Sequence, residues 1–446
     1  MSAPGPLPVS VLLRYGVGQL GYSMMGLAVY VHLPKFYTDV ALLSPALVGL
    51  VVLIARVWDA VTDPVMGYVS DRTRTRLGRR RPYLVASSIP AGLCFALLWS
   101  PPPEFQGEAL FFYFLAAYMG LFLCWTIGAI PYYSFGAELS PDYYERTRLV
   151  GVREMFSVSG IILGTLGVPL ALHLFDDTRQ AYAAMGAAVG AAGAATILVP
   201  ALFLREPRIP EGVHVLPPWT GLVTTLRNPA FRVLLVTYFF TSVAGAVPGP
   251  LIPYISEYVV KTPHLLPAYI LVYLLMGILT LPLWVRISRR IGKKKAWSFA
   301  LLIAVFVTSG LFFLGPGRST LFFFLLAVGG VSLGGSLAFP ASMQADVIDQ
   351  DELLTGKRRE GAYFGLWSLV TKSSAAVTLF VAMQVLHLAG YVPNVEQSPD
   401  VVLTMRLLYS FFPASCYAAA LLLFQRYPIT QEVHAEIRAR LAARAA

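Results

Sequence analysis

The sequence predicts an all-α integral membrane protein, with twelve spanning helices arranged as two bundles of six. Three observations carry this expectation. Of 446 residues, 57% are hydrophobic and only 13% are charged, against about 25% charged in an ordinary soluble domain; the mean hydropathy is +0.65. The apolar residues gather into runs long enough to cross a bilayer. One basic motif then occurs twice, nearly half a chain apart.

A spanning helix needs about 20 mostly apolar residues. Such runs lie at 10–34, 45–69, 82–101, 109–137, 150–174 and 181–203 in the first half. In the second half they lie at 229–257, 265–285, 296–315, 319–344, 361–390 and 402–425. None alternates in the manner of barrel strands. The first run follows MSAPGPLPVS, which has no basic n-region and no cleavage site after a short apolar core. It is therefore expected to remain as a span and not to be removed as a signal peptide. The sixth run contains GAAVGAAGAA (186–195), a small-residue face suited to close helix approach. The seventh contains VPGPLIP (247–253), which cannot continue a regular helix. It reads either as a break along a pathway or as the outer end of the span.

The loops set the expected orientation. DRTRTRLGRRRP, after the second run, holds six arginines; RISRRIGKKK, after the eighth, holds six Lys/Arg; GKRRE follows the tenth. SPPPEFQGEA and YVPNVEQSPD, on the other side, have neither Lys nor Arg. The positive-inside rule places the basic loops and both termini in the cytoplasm of a multi-pass protein of the cell membrane, the inner membrane if the source is bacterial. The formal net charge of +10 thus belongs to loops facing anionic headgroups, and no nucleic-acid partner is expected.

RLGRRR at 76–81 and RIGKKK at 290–295 align without gaps at an offset of 214. Each follows the second span of a six-span set, which points to two parallel repeats. The expected organisation is an N-terminal six-helix bundle at 1–203, a Pro-rich cytoplasmic linker at 204–228, a second bundle at 229–425 and a cytoplasmic tail at 426–446. This is the 6+6 arrangement of the major facilitator superfamily, and a monomer is expected.

Cys94, Cys124 and Cys416 all lie in apolar stretches and form no CxxC, and the six histidines show no metal-ligand spacing. HExxH, GxSxG and phosphate-loop motifs do not occur. An enzyme is not expected, nor is a cofactor. A channel would lack a filter signature, and the repeat is that of a carrier.

The second run carries RVWDAVTDPVMG (56–67). At 100° per residue Arg56, Asp59 and Asp63 share one helix face, with Thr62 beside them. A carboxylate at membrane depth costs several kcal/mol unless it is paired or hydrated. Arg56 offsets one acid, and Asp63 remains. Either one acid is protonated or a cation sits between the two.

ARVWDAVTDPVMGYVSDRTRTRLGRRRP resembles the second helix and following loop of the glycoside–pentoside–hexuronide cation symporters, the melibiose permease family. The likeness continues in YGVGQLGYS (15–23), AIPYYSF (129–135), GVREMF (151–156), ADVIDQDELLTGKRREG (345–361), the segment around Lys372, and GYVPNVEQS (390–398). The resemblance implies Na+ or H+ as the coupling ion, held by Asp59 and Asp63 with Thr62 and Thr126 as further ligands and Arg56 balancing charge. It also implies Arg153 and Lys372 as charged cavity residues. Hard cations take oxygen ligands, which carboxylates and hydroxyls supply.

The departures bear on the solute. Where the melibiose branch uses an acid on helix I and another on helix IV, this chain has Ser23 and Ala129; where that branch has Trp on helix IV, this chain has Tyr133. Sugar sites rely on carboxylates accepting hydroxyl protons against an aromatic plate, so a galactoside is disfavoured. Trp125, Tyr132, Tyr133 and Trp367 still offer aromatic surface. The expected function is cation-coupled symport of a glycoside or other small polar solute by alternating access. The alternative is a sodium-dependent lysolipid transporter of the same superfamily.

Overall fold

The computed structural model describes residues 7–140, 143–206, 225–356 and 360–445. The chain forms two compact units, Met1–Val213 and His214–Ala446.

The first unit holds α1 (Val9–Val31), α2 (Pro45–Arg72), α3 (Arg81–Leu98), α4 (Gly107–Glu138), α5 (Tyr143–Leu174) and α6 (Thr178–Phe203). Their starts are written in the sequence. Ser44 precedes Pro45, and its hydroxyl accepts from the Leu47 amide; Asp177 accepts from the Gln180 amide at the start of α6. Such caps satisfy amides that have no partner within the helix. Inside this unit α1 packs on α5 and α6, α3 on α4 and α6, and α2 on α4.

The second unit holds α7 (Pro229–Ala246), the bent pair α8 (Leu266–Leu279) and α9 (Leu281–Ile291), α10 (Lys293–Gly310), α11 (Ser319–Thr355) and α12 (Glu360–Leu388). They are followed by α13 (Pro399–Tyr409), α14 (Phe411–Phe424) and α15 (Gln431–Ala445). Asn228 before Pro229 and Ser398 before Pro399 repeat the capping device of Ser44 and Pro45. The packing repeats too: α7 packs on α12 and α14, α10 on α11 and α14, and α8 on α11. These are the five pairings of the first unit over again.

Among the described residues, ten helical stretches are long and apolar enough to cross a membrane, and eleven with the bent pair as one span. The twelve runs expected from the sequence include α1 as well. It is helical over Val9–Val31, but Arg14, Gln19 and five hydroxyl-bearing side chains dilute its apolar character. Three expected spans differ in shape. The eighth bends by 40° between α8 and α9, and the twelfth is interrupted at Ser410. The tenth runs on to Thr355 as a single helix. VPGPLIP opens a helix, Pro248–Tyr254, that continues α7 after a break at Val247. Proline lacks the amide a helix interior needs, but at the first turn none is required.

A second repeat was invisible in the sequence. After α1, Phe36–Val40 forms a π turn; after α7, Ile255–Val259 does the same. The Ala41 amide donates to the Phe36 carbonyl at 2.9 Å and the Leu43 amide to Tyr37 at 2.8 Å. Val260 to Ile255 and Thr262 to Ser256 show the same two distances. Each turn closes on a left-handed non-glycine residue, Leu42 at φ 63° and Lys261 at φ 60°.

Small residues set the closest approaches. A Cβ on Gly92 would lie 2.5 Å from the Gly190 carbonyl oxygen, and a Cβ on Gly190 would lie 2.5 Å from that of Gly92. The GAAVGAAGAA face therefore does bring α3 and α6 into backbone contact. In the second unit a Cβ on Gly330 would lie 2.4 Å from the Tyr273 carbonyl oxygen.

The end of the arginine-rich loop is held by acids of the first unit. Gly78, at φ 111°, leaves room for the Glu206 carboxylate, which accepts from the Arg80 and Arg81 amides at 2.6 Å each. It thereby caps the start of α3. Arg80 reaches Glu138 at 2.8 Å and Ser70 at 2.6 Å, and pairs with Asp71. Burial works against the Arg80 guanidinium, but Glu138 and then Asp71 outweigh it and hold its pKa above the ordinary arginine value.

Candidate functional site

The acids of α2 face α4. Asp59 is 1% exposed, and its Oδ2 takes the Arg56 Nη1 hydrogen at 3.1 Å. The Arg56 guanidinium lies 4.4 Å from the centre of the Phe122 ring on α4, a cation–π contact that helps to hold a charge at this depth. One turn along each helix, the buried Thr126 hydroxyl donates to Asp63 Oδ1 at 2.8 Å. Arg56, Asp59 and Asp63 thus meet Phe122 and Thr126 in register. Pairs one turn apart face the same way on both helices.

Thr62 lies beside this set but turns its hydroxyl back to the Trp58 carbonyl at 3.1 Å. Its proton is engaged there, while its lone pairs remain. Phe122 was missed by sequence reasoning. The signal available was its spacing, one turn before Thr126.

A second cluster joins α1, α4 and α5. Ser23 Oγ and Ser157 Oγ are 2.9 Å apart, and Gln19 Nε2 donates to Ser23 at 3.1 Å. Neutral hydroxyls thus occupy the place where the melibiose branch has a carboxylate. Arg153 stacks over the Tyr133 ring at 5.2 Å, and Tyr133 is 40% exposed. Arg153 donates through Nε to Glu154 Oε1 at 3.0 Å. The neighbouring acid in the motif GVREMF was overlooked because adjacent helix residues point apart unless one side chain is long enough to fold across. Trp125 is half-buried and lies 5.2 Å from the Tyr22 ring. Tyr132, expected to offer aromatic surface, is instead fully buried. It stacks on Tyr15 at 4.6 Å and donates to the Tyr15 carbonyl at 2.8 Å.

In the second unit, Trp367 on α12 stacks on Tyr238 of α7 with ring centres 3.7 Å apart. The Thr371 hydroxyl donates to Tyr238 at 3.1 Å. Lys372, the next residue, is half-buried in the same helix.

Chemically, the α2–α4 face offers two carboxylates and a hydroxyl in a setting largely closed to water, with one arginine offsetting one of the acids. That is an oxygen-rich site of hard donors, suited to a monovalent cation or a proton.

A family model described as MFS/sugar transport protein matches residues 14–431. The chain is 27% identical over 465 residues to "Sodium-dependent lysophosphatidylcholine symporter 1-A" of Danio rerio, covering 94% of this chain and 85% of that protein. It is 26% identical over 426 residues to "Putative glycoside/cation symporter YagG" of Escherichia coli (strain K12), covering 94% and 91%. Among solved structures, a bacterial homologue of the human lysosomal transporter Spinster, in an inward-facing and unoccupied conformation, matches with TM-score 0.68. It is 15% identical and covers 96% of this chain and 100% of that one. At that identity the likeness speaks for the fold alone.

Proposed function

We propose, for a chain that belongs to the MFS/sugar transport protein family, that Asp59 and Asp63 bind the ion driving symport of a small polar solute. The observation that carries this is two acids on one face of α2, Asp63 bonded to Thr126 of α4 at 2.8 Å and buried Asp59 bonded to Arg56 of its own helix at 3.1 Å. With no ion bound, two carboxylates on one helix face repel each other and are costly to enclose together. A bound cation removes that cost, so that closure around the solute becomes linked to occupancy by the ion. Sodium is the favoured ion, since two carboxylate groups and a hydroxyl are hard oxygen donors; the zebrafish relative named as sodium-dependent supports this.

Ser23, Trp125, Tyr133, Arg153, Trp367 and Lys372 are the proposed solute-binding residues. Within each unit a cation accompanies an aromatic residue, Arg153 with Tyr133 in the first and Lys372 on the helix of Trp367 in the second, a pairing suited to a solute with both a polar or anionic head and an apolar part. A glycoside and a lysolipid both meet that description. The zebrafish and bacterial relatives, named for one and for the other, keep the two readings side by side. Both termini are proposed to lie in the cytoplasm, with the basic loops, and the chain to act as a monomer.

The test is accumulation in proteoliposomes. One charge moved through 100 mV is worth about 2.3 kcal/mol, which supports about fifty-fold solute accumulation. Asp59→Asn/Asp63→Asn is expected to abolish uphill accumulation while leaving the protein folded. Undiminished uphill transport by that double variant would make the acids merely structural. Stimulation by sodium at fixed pH identifies sodium as the ion, whereas dependence on the pH gradient alone identifies the proton.

A further inference from the structure

The second basic loop divides its cations unequally. Lys293 pairs with Asp346 at 2.7 Å, and Lys294 donates to the Gln425 and Tyr427 carbonyls at 2.7 and 2.8 Å. Arg286, Arg289 and Arg290, just before them on α9, are all exposed. They make no hydrogen bond, ion pair or ring contact with any described residue. Spaced three and four residues apart, they form one stripe. On the opposite side Trp284 is buried and donates to the Val331 carbonyl at 2.7 Å, which pins the helix down. At the other end of α9 and across the bend, Leu279, Leu283 and Val285 are exposed by 69%, 48% and 42%. An apolar exposed patch thus runs directly into an unneutralised arginine stripe.

We infer that the arginine stripe of α9 binds the phosphate of an anionic phospholipid in the leaflet on the side of the basic loops. The chemistry is complementary at both ends. Guanidinium groups take phosphate oxygens in pairs, and the exposed apolar residues lie where the acyl chains of the same molecule would descend. An amphipathic helix turned by 40° from its spanning partner is the geometry of an interfacial segment. A soluble phosphate would use the arginines but leave the apolar patch without a partner, so the structure favours the lipid. This surface is separate from the acids of α2, and its test does not depend on them.

The experiment is native mass spectrometry of the full-length protein extracted from vesicles of equal phosphatidylglycerol and phosphatidylcholine. The wild type is expected to retain phosphatidylglycerol preferentially. Each arginine near an anionic surface is worth about 1 kcal/mol, or about a fivefold change in retention. Arg286→Gln, Arg289→Gln and Arg290→Gln should each lower the preference by that order, and the triple variant should abolish it with thermal unfolding in neutral detergent unchanged. Should the triple variant fail to fold, the three single variants are read in the same way. Three results would each overturn the assignment: an undiminished preference in the variants, no preference in the wild type, or loss of the wild-type preference in excess inorganic phosphate.

Discussion

The second spanning element of each unit occupies the same place in the repeat, yet α2 and the α8–α9 pair handle charge in opposite ways. Between Pro45 and Arg72, α2 is one helix carrying Asp59 and Asp63 at depth, with Arg56 bonded to the first and Thr126 to the second. The stretch from Leu266 to Ile291 contains no acid at all. It bends by 40°, and its three arginines are turned outward. Where α2 keeps polar groups against α4, α8 packs close on α11, with Gly330 seated against the Tyr273 backbone. The duplicated scaffold holds the position of the element, and the side chains decide its use. One copy carries the proposed ion-binding groups, and the other makes an apolar contact.

The comparison breaks most severely at Arg56. Arg56→Leu leaves a carboxylate that is 1% exposed without its guanidinium, and removing one partner of a buried pair costs about 3–5 kcal/mol. Unfolding in detergent should show that loss, and adding Asp59→Asn should restore most of it. Failure of the second substitution to rescue would mean that Arg56 matters through its Phe122 contact and not through its charge pair.

A smaller effect is expected on the other copy. Gly330→Val places a side chain against the Tyr273 carbonyl, where even a Cβ would lie 2.4 Å away. Overpacking of this kind costs about 1–3 kcal/mol, readable as a lowered thermal midpoint. Gly151→Ala is the control: nothing lies within 4 Å of its Cβ position, and alanine is the better helix former by about 1 kcal/mol. Equal midpoints for the two variants would show that the close approach of α8 and α11 is not a packing constraint.

The smallest change sharpens the site itself. Thr126→Val removes a hydrogen bond worth about 1 kcal/mol and a cation ligand, while keeping the shape of the side chain. The apparent cation affinity of uptake should fall about fivefold, with the maximal rate unchanged. An unaltered cation titration would remove Thr126 from the ligand set.

The acids were legible because charge in an apolar run is costly and therefore conspicuous; Asp59 and Asp63 stand out from ALVGLVVLIA on sight. The basic repeat was legible because RLGRRR and RIGKKK keep both residue type and spacing. The partners were harder to read. Phe122 is one of many aromatic residues, and only the register of α4 on α2 selects it. Glu206 closes on the first basic loop from more than a hundred residues away, which no local pattern records. The bend after Leu279 was missed because LTLPLW reads as continuous apolar sequence. The π turns were missed because FYTDV and ISEYV share almost no residue type. Their likeness resides wholly in backbone hydrogen bonds.

Those two turns also measure the two halves of the chain against each other. From Phe36 to Ile255 the halves are offset by 219 residues, whereas from Arg76 to Arg290 the offset is 214. The interval between turn and basic loop is therefore five residues shorter in the second copy than in the first, while the turns themselves keep the same hydrogen bonds. At 1.5 Å of rise per residue this is more than one helical turn, enough to rotate every later side chain onto a different face. The bend between α8 and α9 falls inside the shortened interval, and so does the place where the acids of α2 have no counterpart. The two copies of this element therefore differ in length between fixed landmarks as well as in charge, and the paired carboxylates lie in the longer of the two.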